Sequence, residues 1–568
     1  MDAIRQPFSL SAPRLKDTVQ QYSWLWPVVT SLILMILTSI PYLFGALTAP
    51  TEKVFSGILY NVHDTAQYLS WMREAQTSLL IENRLTSEAN PAIFFNLHWW
   101  LPGRLAGLLG LSSIQIYHLY RLVAIPFCVG VIYWLCGLFL SNQRQRVFAF
   151  LLTLFMSGFG WIWVVHKYAM GLSDVAFPSD IYTAPGNTFY TLLVSPHLTL
   201  SLGLTLWALG LAFQALRQQS WPYALAAGGV SLVLGLGHIY DLVTVWAVLA
   251  AFVTLINLRD GLRQHGKTIA LFSSIILVSV PAAGYFGYIS SNANPVWKQA
   301  LAQYDNLDAF TPDPAHLLIL MGLPLIVSIL TYRGMLPLTD QNERYLFIAT
   351  WFLANLLIIY LPLRFRIMLL AGLQFPLALL TTRGLFEHII PWLAGRWSGR
   401  LGSLARSWVP ALMLILVLPA NLYIFGWRML DMHRHNYPFF LYKDDVAALQ
   451  WLEVHAERED IVLSSFTIGH YLPGLTGSRP FLSNAVMTIN FAEKQELVSR
   501  FFANEATDAE RCTFLTRYNI QYLIYGEAER ALGDFDPTGS SLFNPIFMTE
   551  RTGIYQVKVA GCTRYQSP

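Results

Sequence analysis

Apolar runs of spanning length, separated by polar loops, fill most of the chain up to residue 426. They lie near 24–47, 116–140, 147–166, 196–217, 268–290, 315–332, 344–361, 366–382 and 408–426. The run 222–258 is too long for one helix. It is interrupted by Gly235-Leu236-Gly237-His238-Ile239-Tyr240-Asp241, which predicts two helices joined by a tight turn. A membrane-spanning helix needs about 20 apolar residues, so the pattern predicts about eleven spans. After 427 the pattern becomes that of a soluble segment. It predicts helices near 444–456, 491–503 and 507–517, and strands near 461–464, 520–525 and 554–559. The expected fold class is an α-helical polytopic membrane protein, with a transmembrane domain over 1–426 and a small extracytoplasmic α/β domain over 427–568.

Composition agrees with this pattern. Of 568 residues 54% are hydrophobic and 12% charged, against about 25% charged in soluble domains. A net charge of +3 gives no basis for a nucleic-acid partner. The 18 Trp and 27 Tyr suit the headgroup belts of a membrane protein. Arg5, Arg14 and Lys16 lie in a mixed stretch before the first run, which therefore reads as a signal anchor rather than a cleaved signal. Threaded alternately, the loops carrying Arg144 and Arg146, Arg217, Arg259 to Lys267, Arg333 and Arg344, and Arg383 to Arg406 fall on the side of the N-terminus. Positive loops face the cytoplasm, so the N-terminus is expected there and the C-terminal segment outside the plasma membrane. Cys128 and Cys136 read as packing residues within a span. Cys512 and Cys562 both fall outside, where a disulfide or two free thiols fit equally well.

Ionisable groups are scarce in such a chain, and they gather in the loops opposite the positive ones. The first outer loop, 49–115, opens on Asn61-Val62-His63-Asp64-Thr65-Ala66-Gln67-Tyr68 and also carries Asn96 and His98. Asp64 stands where a helix should start, so it is either a helix cap or a site residue. Tyr68, Leu69, Trp71, Met72, Ala75, Leu79 and Leu80 follow as one apolar stripe, expected to lie along the membrane surface. Asp174 and Asp180 read as solvated loop residues. Ser195-Pro196-His197 opens a span, either as a cap or as part of a site. In 235–238 the glycines either admit a bulky neighbour or place His238 and Asp241 in a pocket. Arg364 and Arg366, in a short outer turn, either snorkel or bind phosphate through paired charge-assisted bonds. A carboxylate beside such arginines can accept a proton or hold a divalent cation.

Taken together, His63-Asp64-x-x-Gln67-Tyr68 just after the first span, the amphipathic first loop and the soluble tail resemble the GT-C superfamily of integral membrane glycosyltransferases. The resemblance is nearest to the protein-mannosyltransferase-like and lipid A aminoarabinose-transferase-like branch, and it covers essentially the whole chain. It implies a sugar donor carried on a polyprenyl phosphate and an acceptor that is a glycan, lipid or protein. Asp64 would be the catalytic base or a ligand for Mg²⁺ or Mn²⁺, with His63 assisting. Arg364 or Arg366 would bind the donor phosphate, and Tyr68, His197, His238 and Asp241 would line the sugar or acceptor pocket. The chain departs from the mannosyltransferases, which carry an Asp-Glu pair in the first loop; here His63 precedes Asp64 and Thr65 follows it. It also lacks a Trp-Trp-Asp motif in the tail, the nearest stretch being 448–452, which disfavours transfer to an asparagine sequon. Two other classes compete: a multi-pass transporter or flippase, marked by the broken helix, and a scaffold that binds a partner through its tail.

Overall fold

The computed structural model describes residues 24–173, 178–260, 266–303, 313–332, 340–363, 365–396 and 400–558. Among these, eight helices are long and apolar enough to cross a membrane. Helices Trp221–Gly237 and Pro314–Ile329 are shorter but equally apolar, and Asp340–Ile358 stands at the remaining expected position. The protein is a mostly helical, multi-pass membrane protein with a small sheet near its C-terminus.

The first span, α1 (Leu25–Thr48), leads into strand β1 (Lys53–Phe55) and then α2 (Val62–Ala75), α3 (Leu97–Leu109) and the second span α4 (Ser113–Phe139). Several spans are interrupted. The expected run 147–166 is broken between Phe155 and Gly160, and 315–332 is kinked at Gly322, whose φ is +53°. The run 222–258 breaks at His238 and Ile239, as the glycine-rich stretch predicts.

Beyond Arg434 the chain returns to β1 before forming its sheet. Strand β2 (Phe440–Tyr442) pairs antiparallel with β1, Lys53 opposite Tyr442. The five-stranded sheet has the order β4-β3-β5-β7-β6, built from β3 (Ile461–Leu463), β4 (Arg479–Pro480), β5 (Ile520–Tyr525), β6 (Phe543–Met548) and β7 (Gly553–Val557). β3 runs parallel to β4 and β5, whereas β7 runs antiparallel to β5 and β6.

The tail and the first loop share one hydrophobic core. Leu69, Trp71, Met72 and Ala75 of α2 are buried in the same cluster as Leu449, Leu472, Met487 and Ile524. This corrects the expectation that the α2 stripe faces lipid. Helical periodicity marks an apolar face without saying whether lipid or protein covers it. The exposed apolar face belongs instead to α3, through Leu101, Leu105, Leu108 and Leu109.

Ion pairs centred on the buried Arg84 and Arg479 reinforce this joint. Arg479 bonds Glu82 at 2.7 Å and Glu459 at 2.9 Å, and Arg84, wholly buried, bonds Glu459 at 2.7 Å. Arg458 reaches back to Glu74 at 2.6 Å.

A second correction concerns Asp180, which is buried rather than solvated. Its Oδ2 accepts the backbone N–H groups of Gly158 (3.1 Å) and Gly160 (3.2 Å) at the helix break. A Cβ on Gly160 would stand 2.2 Å from the carboxylate, so only glycine fits there. Asp174 lies outside the described residues. Cys512 is buried and disulfide-bonded, Cys562 is outside the described residues, and Cys128 and Cys136 are buried free thiols.

Candidate active site

Asp64 sits in the first turn of α2, as its third residue. The preceding turn is made by Asn61, which adopts the left-handed conformation (φ 43°) that asparagine tolerates better than most residues. Asn61 is thus the residue before the helix, and its side-chain amide donates to the Asp64 carboxylate rather than to a backbone group.

The carboxylate opens into a cavity of about 150 Å³. Tyr68, one turn along α2 and therefore on the same face, lines it too. So do His197 from the start of the span Pro196–Gln218 and His238 and Tyr240 from the broken helix. Four of the residues singled out in the sequence, from three separate segments, therefore meet in one place.

Aromatic rings form most of the wall. Tyr68 stacks on Trp99 at 4.3 Å between centroids and meets His197 edge-on at 4.7 Å. His197 is 6.1 Å from His238. Its Nδ1 is 3.0 Å from the Ser195 hydroxyl, which makes no cap bond to the backbone. Ser195 therefore orients the imidazole. Asp241, almost fully buried, holds His238 Nδ1 at 3.0 Å and lines a small adjoining cavity. The glycine before His238 does admit a bulky neighbour. A Cβ on Gly237 would stand 2.0 Å from the His98 ring, and the Gly237 carbonyl accepts the Asn96 amide at 2.8 Å.

Electrostatically the floor of the cavity favours a proton acceptor poised near neutrality. Asp64 keeps part of its surface open, yet it is walled in by protein. Burial pushes its pKa up from 3.8 to about 6, against the hydrogen bonds of Asn61 and Asn484, which pull it down. Burial also drives the Tyr68 phenol well above 10, so it stays neutral beside the carboxylate.

The other expected site residues are placed differently. His63 does not line the cavity. Adjacent positions on a helix point roughly 100° apart, so with Asp64 facing inward, His63 turns to the tail. There its ring lies 4.8 Å from Phe466 and 4.7 Å from His470. Arg366 is half-buried at the start of the turn Arg366–Leu370 and is not among the lining residues, although Met368 is. Arg364 lies outside the described residues.

Among the described residues no three His, Cys, Asp or Glu side chains group as a metal site, and Asp64 is the one carboxylate lining the cavity. Asn61, Trp71, Trp99, Tyr240 and Met487 also line it. Asn61, Trp71 and Tyr240 stand in stretches the sequence already singled out, whereas Trp99 and Met487 carried no local signal.

No family model matches the chain, and no curated protein matches it. Solved structures do. The apo oligosaccharyltransferase of Archaeoglobus fulgidus superposes with a TM-score of 0.51 at 12% identity, over 93% of this chain and 73% of that one. The same organism's oligosaccharyltransferase AglB, in complex with an inhibitory peptide and a dolichol-phosphate, gives 0.50 at 12% identity over 89% and 70%. ArnT from Cupriavidus metallidurans bound to undecaprenyl phosphate gives 0.49 at 12% identity, covering 96% of this chain and 100% of that one. At such identities the likeness speaks for the fold. The chain has the fold of the GT-C membrane glycosyltransferases.

Proposed function

We propose that this protein is a glycosyltransferase that moves a sugar from a polyprenyl-phosphate-linked donor to an acceptor on the extracytoplasmic face of the plasma membrane. The observation that carries the reading is the convergence of Asp64, Tyr68, His197 and His238 on one cavity. Each comes from a loop or helix end that the charge pattern assigns to the outer side. The placement of the N-terminus in the cytoplasm and of residues 427–568 outside belongs to the same proposal. The archaeal enzyme of the same fold was solved with a dolichol-phosphate, which supports a lipid phosphate as the donor's carrier.

In the reaction the acceptor's nucleophile attacks the anomeric carbon. The bond from that carbon to the phosphate oxygen breaks, and the polyprenyl phosphate leaves. Asp64, its pKa raised towards the working pH, takes the acceptor's proton. General-base groups contribute about 10²–10⁴-fold when so matched. Tyr68, Trp99 and His197 offer flat faces to the sugar, and the His238–Asp241 pair holds the far wall. Arg364 and Arg366 are assigned to the donor phosphate; Arg366 opens the turn that brings Met368 into the cavity. A Mg²⁺ or Mn²⁺ ion here would take Asp64 as its protein carboxylate. The rest of its shell would come from the donor phosphate and water, as Mg²⁺ sites commonly arrange. The broken helix opens onto this same cavity, so it serves the transfer site rather than a separate transport path.

The test is turnover of a panel of polyprenyl-phosphate sugars by the purified full chain, read as release of polyprenyl phosphate. Asp64→Asn should lower turnover by about 100-fold or more. Arg364→Ala and Arg366→Ala, made separately, should raise the donor KM. A variant Asp64→Asn that turns over within about threefold of the parent removes Asp64 as the base.

A further inference from the structure

Along α2, Asp64, Gln67, Tyr68 and Trp71 all line the cavity. Their spacing puts them on one helical face, with Gln67 about 4.5 Å further along the axis than Asp64. Gln67 is 4% exposed. A buried primary amide brings two N–H donors and an acceptor oxygen with it, and these ordinarily find partners.

The other polar side chains of this wall are already engaged. Asn96 donates to the Gly237 carbonyl at 2.8 Å and accepts the His98 N–H at 3.1 Å, so both ends of its amide are used. Asn61 donates to Asp64. Thr65 donates to the Tyr60 carbonyl at 3.4 Å, and Ser195 is held against His197 at 3.0 Å. The Gln67 side chain has no hydrogen-bond partner among the described residues. Leaving such a group unpaired in a walled site disfavours the free protein. A methionine would fill the same space without that cost.

The space beside Gln67 has the size of one sugar ring. About 150 Å³ is the volume of a cavity that takes a single six-membered ring. Among the described residues no lysine or arginine lines it, so nothing there favours a carboxylate or sulfate on the ring. An amide edge, with its oxygen beside its NH₂, matches two neighbouring hydroxyls: it accepts from one and donates to the other.

Resting on the transferase reading above, we propose that Gln67 is a substrate-binding residue that reads two adjacent hydroxyls on the sugar being transferred, so that the cavity selects a single uncharged ring carrying a vicinal diol. One helical turn separates it from Asp64. With Asp64 at the anomeric carbon, the hydroxyls within its reach are those on the next carbons of the ring.

The experiment uses the full chain in detergent and a set of polyprenyl-phosphate hexoses, each beside its 2-deoxy and 3-deoxy counterparts. Binding is read from tryptophan fluorescence, since Trp71 and Trp99 stand in the cavity wall, and is compared with polyprenyl phosphate alone. Turnover is read separately as release of polyprenyl phosphate. The parent should bind its best hexose about tenfold or more tightly than the deoxy counterpart, the size of a hydrogen bond whose loss leaves a buried group unpaired. In Gln67→Met that preference should vanish, with the deoxy donor bound as tightly as by the parent. Without ligand the variant should unfold at the parent's temperature or above it, because an unpaired buried amide has been removed. A parent that does not discriminate overturns the assignment, as does a preference that persists in Gln67→Met. A loss equal for both donors, or an unfolding temperature well below the parent's, makes Gln67 a structural residue and also overturns it. Hexoses bound with the expected preference but never turned over would sink the transferase reading and leave the Gln67 assignment standing. Turnover with the preference unchanged in the variant would do the reverse. If no hexose binds better than polyprenyl phosphate alone, both fall.

Discussion

Gly237→Ala places two effects of opposite sign in competition. Gly237 is the last residue of the helix Trp221–Gly237. On propensity alone, alanine for glycine within a helix is favourable by up to about 1 kcal/mol. Against this, the new Cβ would stand 2.0 Å from His98 Cδ2, where ordinary contact begins at 3.4 Å, and 2.2 Å from Nε2. The imidazole must retreat by about 1.4 Å, yet His98 is only 3% exposed and has no open side to move into. Overpacking of this kind costs about 1–3 kcal/mol, so the clash should win and the variant should be less stable. His98→Ala removes the obstructing ring, and in that background Gly237→Ala should become neutral or favourable. Reversible unfolding in mixed micelles of the four proteins gives the coupling, expected at about 1–3 kcal/mol. Asn96 and Trp99, on either side of His98, line the cavity, so Gly237→Ala should also weaken donor binding. Effects that add to within about 0.5 kcal/mol would show that the ring and the glycine are not in contact.

Further outcomes follow from the same geometry. Because the Asp64 pKa is raised from 3.8 to about 6, the folded state holds a proton that the unfolded chain has released, and stability contributed by this group falls as pH rises through that window. Asp64→Asn should therefore unfold at a higher temperature than the parent at pH 7 and at the same temperature near pH 3.5, whereas turnover of the parent should decline below about pH 6. Arg479→Ala removes a buried cation from a joint in which Glu82 and the largely exposed Glu459 keep Arg84 and Arg458 as partners; it should cost about 1.5–3 kcal/mol and expose the 478–490 stretch to limited proteolysis. Asp180→Ala strips the acceptor from two buried N–H groups at the Gly158–Gly160 break, a loss of about 1–3 kcal/mol for each, read by the same unfolding assay. Asp180→Asn, which keeps one oxygen, should lose less.

Local pattern and long-range arrangement were not equally legible. The break at His238 could be located because glycines interrupting an apolar run have a direct backbone meaning, and the first-loop acid stood out because charges are rare in this chain. The position of the Asp64 carboxylate relative to His63 could also have been deduced, since neighbours on a helix diverge. What could not be seen was the covering of α2. Its apolar stripe has the same periodicity whether it meets lipid or the tail, and the tail's contribution is separated from it by nearly four hundred residues of sequence. Asn484 follows Ser483 in a stretch with no periodicity of its own, and it becomes meaningful only once its amide is set against the His63 carbonyl. Asp180 looked solvated because loop residues usually are; here the loop folds back to satisfy a break between two helices.

The pairing of Lys53 with Tyr442 has a bearing on how the molecule is made. The first loop emerges during synthesis long before the strand that closes against it, and the helices between Ser113 and Arg434 are made in the interval. Until the last quarter of the polypeptide arrives, Trp71, Met72 and Arg84 lack the tail residues that complete their burial. Nascent or truncated chains thus present an unfinished cavity and an uncovered apolar surface.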